Sequence, residues 1–248
     1  AALANQNFTS ATDNYNVAVG FQAGVNVSTG TNNTLIGGLA GDAITTGGYN
    51  VAVGATALTA NTTASFNTAV GYQAAYSNTT GADNTAMGTA AMYPNTTGNY
   101  NAAFGSASLR QNTTGSFNTA LGQSALNQNT TASNNTAVGY QAGYDNTTGS
   151  ITAVGSYALG DNTTGASNVA VGGYDGTSFS ALRLNTTGSY NTSMGVGALA
   201  SNTTASNNTA VGYQAGYTNQ TGEYNTFVGR QAGYTSNFNG NAGNTCIG

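Results

Sequence analysis

The stretch NTAVGYQAGYDNTTGS at residues 135–150 decides the fold, because close copies of it recur along the chain. Near-identical words begin at Asn67 and at Asn208. We call the glycine that follows Ala-Val in this stretch the anchor glycine. Seven successive intervals between anchor glycines are 17 residues long, and the other six are 16, 17, 23, 17, 17 and 19. This period predicts a repeat architecture. The anchor glycines are Gly20, Gly37, Gly54, Gly71, Gly88, Gly105, Gly122, Gly139, Gly155, Gly172, Gly195, Gly212, Gly229 and Gly248.

The residues before each anchor glycine predict a short strand. A large apolar side chain always precedes the anchor, as at Val138, and we interpret this column as core. Three places before the anchor lies a Thr or Val in all but one repeat, which completes the alternation typical of a strand. The Asn-Thr-Thr-Gly segment of most repeats is poor in helix propensity and favours a turn. Short units must stack to bury their apolar faces. The sequence therefore predicts an all-β fold, a β-solenoid (β-roll or β-helix) of about fourteen coils, forming one continuous domain over 1–248 with a loop insertion near 173–180.

The composition argues against several classes of function. Only 4% of the residues are charged, histidine is absent, and the three cations are Arg110, Arg183 and Arg230. Acid/base catalysis and metal binding need side chains that this chain largely lacks, so we expect neither an enzyme nor a cofactor. Nucleic-acid binding needs clustered Lys and Arg, and a membrane span needs about 20 apolar residues in a row. We expect neither of them, and we expect an extracellular or cell-surface location.

Twelve Asn-x-Ser/Thr sequences form a second repeating feature. The middle residue varies while the hydroxyl two places on does not, which is the pattern of an N-glycosylation acceptor. Covalent glycans are therefore expected on one turn of the coil. The alternative left open by the residues is a ladder of stacked asparagine amides. The candidates are Asn7, Asn26, Asn61, Asn78, Asn95, Asn112, Asn129, Asn146, Asn162, Asn185, Asn202 and Asn219.

The phrase Asn-Thr-Ala-Val-Gly-x-x-Ala resembles the head repeats of trimeric autotransporter adhesins, whose β-rolls use a Val-Ala-Ile-Gly-x-x-Ala pattern. It is also similar to repeat arrays in phage tail-fibre-like and bacterial surface proteins. The resemblance spans the chain, although the period here is 17 residues, longer than the adhesin repeat. It implies a β-roll and a homotrimer.

The sequence near the two termini suggests a mode of assembly. The chain stops on anchor glycine Gly248, and its first residues, AALANQNFTS, read like the half-coil that would follow an anchor. Two explanations stay open, a piece of a longer array or subunits that stack head to tail into a filament. Cys246 is expected to be core filler, with an intermolecular disulfide as the alternative. In the insertion, Asp175, Phe179 and Arg183 are candidates for a specific contact.

The leading functional hypothesis is a structural subunit of an extracellular, N-glycosylated microbial filament, built by head-to-tail stacking of β-solenoid coils. The partner is then the chain itself, together with its glycans. The alternative is the shaft or head of a trimeric adhesin or phage tail fibre. A third possibility is an ice-binding solenoid, because threonine ladders can form regular arrays, but glycans along the Asn-Thr-Thr turn would obstruct such a surface.

Overall fold

The computed structural model describes residues 1–7, 13–177, 179–236, 238 and 243–248. The chain divides into two compact units, Ala1–Asn118 and Thr119–Gly248, and both are built from the same coil. All the regular secondary structure of the described residues is β. The first unit contains β1 (Val17–Val19), β2 (Thr34–Ile36), β3 (Val51–Val53), β4 (Thr68–Val70), β5 (Thr85–Met87) and β6 (Ala102–Phe104). The second contains β7 (Thr119–Leu121), β8 (Thr136–Val138), β9 (Ile151–Val154), β10 (Asn168–Val171), β11 (Thr192–Met194), β12 (Thr209–Val211), β13 (Thr226–Val228) and β14 (Thr245–Ile247).

Each strand pairs in parallel with the strand of the next coil within its unit. The register follows the repeat, so that Thr68 lies beside Thr85 and Val70 beside Met87. Between coils the bonding alternates along the chain. The anchor Gly71 N–H donates to Val53 O of the preceding coil at 2.8 Å, and Thr68 N–H donates to Asn84 O of the following coil at 2.8 Å. The predicted all-β β-solenoid with a 17-residue spacing is thus confirmed, whereas the single continuous domain stays a prediction.

The insertion does not interrupt this register. Strands β10 and β11 are separated by the longest interval between anchors, 23 residues. Val169 nevertheless pairs with Thr192 and Val171 with Met194, as in every ordinary neighbour pair. The extra residues therefore leave the coil as a loop, as the spacing predicted.

The core column lies one residue away from its predicted place. The residue two before each anchor faces inward, and Leu35, Ala52 and Phe227 are fully buried there. The large residues directly before the anchor, predicted as core, face outward: Leu121 is 48% exposed and Met194 is 46% exposed. Alternation in a strand places only one of two neighbours inside, and the interior of this coil is narrow enough that the inner column is mostly alanine. We call the outward column, together with the Thr or Val two places before it, the outer face.

The small residues three places after the anchor line the inner corner, as expected. Ala57 and Ala74 are fully buried, and Leu58 fills the layer beside them. In some coils a glycine replaces that leucine, and it makes room for a larger residue of the inner strand column. A Cβ on Gly216, for example, would lie 2.6 Å from the Phe227 ring. The core therefore consists of complementary large and small side chains contributed by neighbouring coils.

The corners of the coil require left-handed backbone at residues other than glycine. In one coil Tyr100, Ala107 and Leu109 have φ of 56°, 57° and 48°, a region that costs energy for residues with a side chain. Contacts with the equivalent residue of the next coil stabilise these corners. Tyr100 stacks on Phe117 with ring centroids 5.0 Å apart. The aromatic column five places before the anchor is accordingly exposed, outside the core, and its rings stack where two neighbouring coils both carry one.

Candidate functional site

Ten of the twelve glycosylation candidates form buried rows, which we call the asparagine ladder. In the first unit Asn78 Nδ2 donates to Asn61 Oδ1 at 3.1 Å, and Asn95 Nδ2 donates to Asn78 Oδ1 at 2.8 Å. The same amide also donates to a carbonyl three residues on, as Asn78 does to Gly81 O at 2.8 Å. Both hydrogens of such an amide are therefore occupied. The side chains with no exposed area are those of Asn61, Asn78, Asn95, Asn112, Asn129, Asn146, Asn162, Asn185, Asn202 and Asn219.

This burial argues against glycosylation of those ten asparagines in the folded coil. A glycan replaces one hydrogen of the amide nitrogen and needs open space beyond it, and the ten buried side chains have no such space in the folded coil. The alternative, an asparagine ladder, accounts for their position. Asn7 and Asn26 lie outside the ladder and are exposed, and in the first coils Val27 and Ile44 take the ladder position. Glycosylation stays a prediction at Asn7 and Asn26; Phe8 and Thr9, which complete the sequon of Asn7, lie outside the described residues.

The hydroxyls of the Asn-Thr-Thr segment behave differently from each other. The middle threonine bonds along the axis, as Thr79 Oγ1 does to Thr96 O at 2.9 Å. The threonine two places after the asparagine is exposed, as at Thr80 and Thr97. The ladder therefore explains the asparagine, while the constancy of the exposed hydroxyl has no structural explanation here.

A second set of asparagines lies four places before the anchor, at the start of the strand. Asn84 N–H donates to Asn67 Oδ1 at 3.1 Å, and Asn84 Nδ2 donates to Gly98 O at 2.8 Å. Asn95 of the ladder donates to the same Gly98 O at 3.1 Å. Amides from two corners thus converge on one carbonyl, and this arrangement satisfies polar groups that would be costly to bury alone.

The insertion borders a cleft of about 300 Å³ in the second unit, which we call the insertion cleft. Of the three predicted contact residues, Phe179 and Arg183 line it, whereas Asp175 caps the loop by accepting from Thr177 N–H at 2.8 Å. Sequence reasoning missed the other members, although their shared register with the insertion could have indicated them. The lining residues are Tyr157, Tyr174, Phe179, Ser180 and Arg183.

Arg183 is held in the insertion cleft by an acid and a ring. Its Nη1 forms an ion pair with Asp161 Oδ1, and its guanidinium carbon lies 5.4 Å from the centroid of Tyr157. Burial lowers the pKa of Arg183, while the charges of Asp145 and Tyr157 oppose that change. Burial raises the pKa of Asp145, and the charge of Arg183 opposes it. The two acids and the arginine form a compact charged group beside the cleft.

Within the described residues, no group of three or more His, Cys, Asp or Glu side chains is placed to hold a metal ion. A search of the same residues for a helix long and apolar enough to cross a membrane finds none. Cys246 is a partly buried free thiol in the inward strand column, the position in which core filler was expected.

Comparisons with known proteins identify no relative: no protein-family model matches the chain, and neither the curated proteins nor the solved structures give a match. The similarity to adhesin heads therefore rests on the short repeated motif alone.

Proposed function

We propose that the chain is a structural subunit of an extracellular filament in which the coils of successive copies stack end to end. The observation that carries the proposal is the coil-to-coil bonding, which repeats the same donors and acceptors at each step. Gly54 N–H donates to Ile36 O at 2.7 Å and Gly71 N–H to Val53 O at 2.8 Å, and the second unit repeats the pattern, as Gly212 N–H does to Met194 O at 2.8 Å. A contact that joins two different ends of identical subunits generates a fibre when its rotation does not close into a ring.

The side-chain ladders support the same mode of growth. Inside the ladder an amide bonds to both neighbouring coils, as Asn162 donates to Asn146 at 2.8 Å and accepts from Asn185 at 2.7 Å. The ladder does not reach the first coils, where Val27 and Ile44 take its position, so a terminal coil would offer its strand backbone groups to the next copy. The filament would therefore be stabilised by the bonds that stabilise the coil.

A proline in the outermost described strand tests axial stacking. In β4 and β13, Thr68 N–H and Thr226 N–H donate to the following coil, so the equivalent Thr245 of β14 would donate to the next copy. Thr245→Pro removes that donor, for which the described residues offer no acceptor, and Thr245→Val is the matched control that keeps it. By electron microscopy we expect filaments from the unmodified chain and from the valine variant, but none from the proline variant. Filaments of unchanged length in Thr245→Pro would refute end-to-end stacking.

A second candidate is favoured by the outer face: a laterally associated oligomer, as in a trimeric adhesin or tail-fibre shaft. In the second unit Met194, Val211 and Val228 lie in register on neighbouring strands and are exposed to 46%, 38% and 39%, and contiguous apolar surface of this kind is typical of interaction sites. Light scattering coupled to size exclusion distinguishes the two. Three chains per particle at all concentrations would favour the adhesin class, and a mass that grows with concentration would favour the filament.

Glycans enter the proposal only at the exposed Asn7 and Asn26. Burial of the ladder asparagines also removes the earlier objection to ice binding, that glycans would cover the coil. The outer face mixes Thr with Val, Ile, Met, Leu and Phe of different sizes, which is unlike a regular flat array. We therefore keep ice binding as a hypothesis that no contact in the structure specifically favours.

A further inference from the structure

The insertion cleft is formed by specific side chains and by a glycine that makes space for one of them. Gly160 occupies the column that holds Tyr144 in the preceding coil. A Cβ on Gly160 would lie 2.5 Å from Arg183 Nη1, so the glycine provides the space through which the arginine reaches Asp161. The absence of a side chain at Gly160 thus allows the guanidinium of Arg183 to occupy that space.

The floor of the cleft is aromatic. Tyr157 packs edge to face between Tyr140, at 5.2 Å, and Tyr174, at 6.3 Å. Tyr174 and Phe179 keep 50% and 46% of their surface open. Aromatic rings of this kind contribute apolar contact at little cost in conformational entropy. A ligand would therefore meet ring surface from Tyr174 and Phe179, with Tyr157 as support.

Polar groups surround this apolar floor and are already oriented. The Tyr174 hydroxyl donates to Gly176 O at 3.0 Å, and the Ser180 hydroxyl donates to Ser156 O at 2.6 Å. Each oxygen keeps lone pairs that can accept from a ligand hydroxyl. The guanidinium of Arg183 carries five N–H donors in a fixed fork, and its ion pair with Asp161 involves one nitrogen atom. The cleft can therefore both donate to and accept from hydroxyl groups.

The charges of the cleft narrow the class of ligand. Arg183 is paired with Asp161 and feels the charge of Asp145, so two carboxylates compensate one cation. An anionic ligand would meet this excess of negative charge. A cationic ligand would meet Arg183 in the position over Tyr157 that a cation prefers. The arrangement favours a neutral molecule.

We propose that the insertion cleft binds a neutral carbohydrate, with the apolar C–H face of a sugar ring against Tyr174 and Phe179 and its hydroxyls on the polar rim. A volume of about 300 Å³ is at the lower end for small-molecule sites and suits one or two sugar rings. The site is independent of the filament proposal, because its lining residues do not include the strand edges that would stack.

Calorimetric titration of the full chain with cellobiose, maltose and N,N′-diacetylchitobiose tests the proposal, with glucuronic acid as an anionic probe. We expect millimolar binding of at least one neutral disaccharide and weaker binding of glucuronic acid. Tyr174→Ala and Phe179→Ala should each weaken binding about tenfold, which corresponds to about 1.4 kcal/mol. Tyr190→Ala is the matched control, because Tyr190 is a 65% exposed aromatic of the same unit outside the cleft, and it should bind as the unmodified chain does.

A second measurement covers the case in which the alanine variants disturb the loop. Saturation-transfer NMR on the unmodified chain should show magnetisation passing from Tyr and Phe ring protons to the sugar C–H protons. Absence of binding by all three disaccharides, or stronger binding of glucuronic acid than of each of them, would overturn the proposal. Equal loss of binding in Tyr190→Ala and in the cleft variants would also overturn it, because the sugar would then be held by exposed aromatics in general. Each result is independent of whether filaments form.

Discussion

The asparagine corner and the outer face of the same coil reverse the usual distribution of polar and apolar groups. Asn95 has no exposed area, whereas Leu121 is 48% exposed. The difference lies in what each group can find inside. An amide in the corner finds partners in the coils before and after it, while a large aliphatic side chain before the anchor finds an interior too narrow to hold it. In a stacked coil, burial thus follows the availability of axial partners as well as hydrophobicity.

The largest expected effect separates two neighbouring residues of β13. Phe227 is fully buried and Val228 is 39% exposed. Phe227→Ala should lower the free energy of unfolding by about 4 kcal/mol, since it opens a cavity, and Val228→Ala should lower it by less than about 1 kcal/mol. Urea unfolding followed by circular dichroism measures both. A loss in Val228→Ala as large as that in Phe227→Ala would contradict the assignment of Phe227 to the inner column and Val228 to the outer face.

The next-largest effect is expected from a substitution that interrupts the asparagine ladder. Asn95→Val leaves Asn78 Oδ1 and one N–H of Asn112 without their partner, and each unsatisfied group costs about 1–3 kcal/mol. We expect a loss of about 3 kcal/mol in the unfolding free energy. Thr97→Val, two places on and exposed, is the control and should stay within about 0.5 kcal/mol of the unmodified chain. An unchanged stability in Asn95→Val would show that the hydrogen bonds of the asparagine ladder contribute nothing to the free energy of unfolding.

A smaller effect on stability, with a larger one on association, is expected on the outer face. Met194→Lys and Val211→Lys place charges on neighbouring coils of the exposed column. Surface substitutions of this kind usually change the unfolding free energy by about 0.5 kcal/mol or less. The mass measured by light scattering should fall if copies associate laterally. A mass unchanged by both lysines would remove the outer face from any interface.

The smallest effect concerns the half-buried carboxylate of Asp42. Asp42 Oδ1 is buried without a hydrogen-bond partner among the described residues, in contrast to the amide hydrogens of Asn95. Burial raises the pKa of Asp42, and backbone hydrogen bonds partly oppose that change. The folded coil therefore takes up a proton at higher pH than the unfolded chain, so this group favours folding as the pH falls through the raised pKa. Asp42→Asn should remove that increment in unfolding experiments across this pH range; an identical pH profile would show that Asp42 does not contribute.

The period and the strand pattern predicted the fold, while the direction of each side chain did not follow from them. Alternation shows that Phe227 and Val228 face opposite sides, but not which side is inside. The prediction that the large residues directly before the anchor form the core was wrong, because leucines after the anchor, such as Leu58, already fill the interior. The sequon pattern leaves a related ambiguity. Asn-x-Thr is also the sequence of a turn whose amide bonds along the axis, and exposure distinguishes the two.

The candidate cleft was only partly predictable. The irregular interval indicated a loop with Phe179 and Arg183, because an insertion in a strict period is visible by counting. Tyr157 and Asp161 belong to an ordinary coil, and their role depends on the empty position at Gly160. A glycine that replaces a tyrosine of one column is a weak sequence signal until the path of Arg183 is known.

The unchanged register on both sides of the insertion has a consequence for how such a gene can vary. Each coil bonds only to its neighbours, so a whole coil can be duplicated or lost by recombination between the near-identical words without disturbing the remainder. The six residues by which the 23-residue interval exceeds 17 are accommodated without displacing β11 from β10. The number of coils and the presence of a loop can therefore vary independently: recombination would change the number of coils, and an insertion would add a loop to one of them.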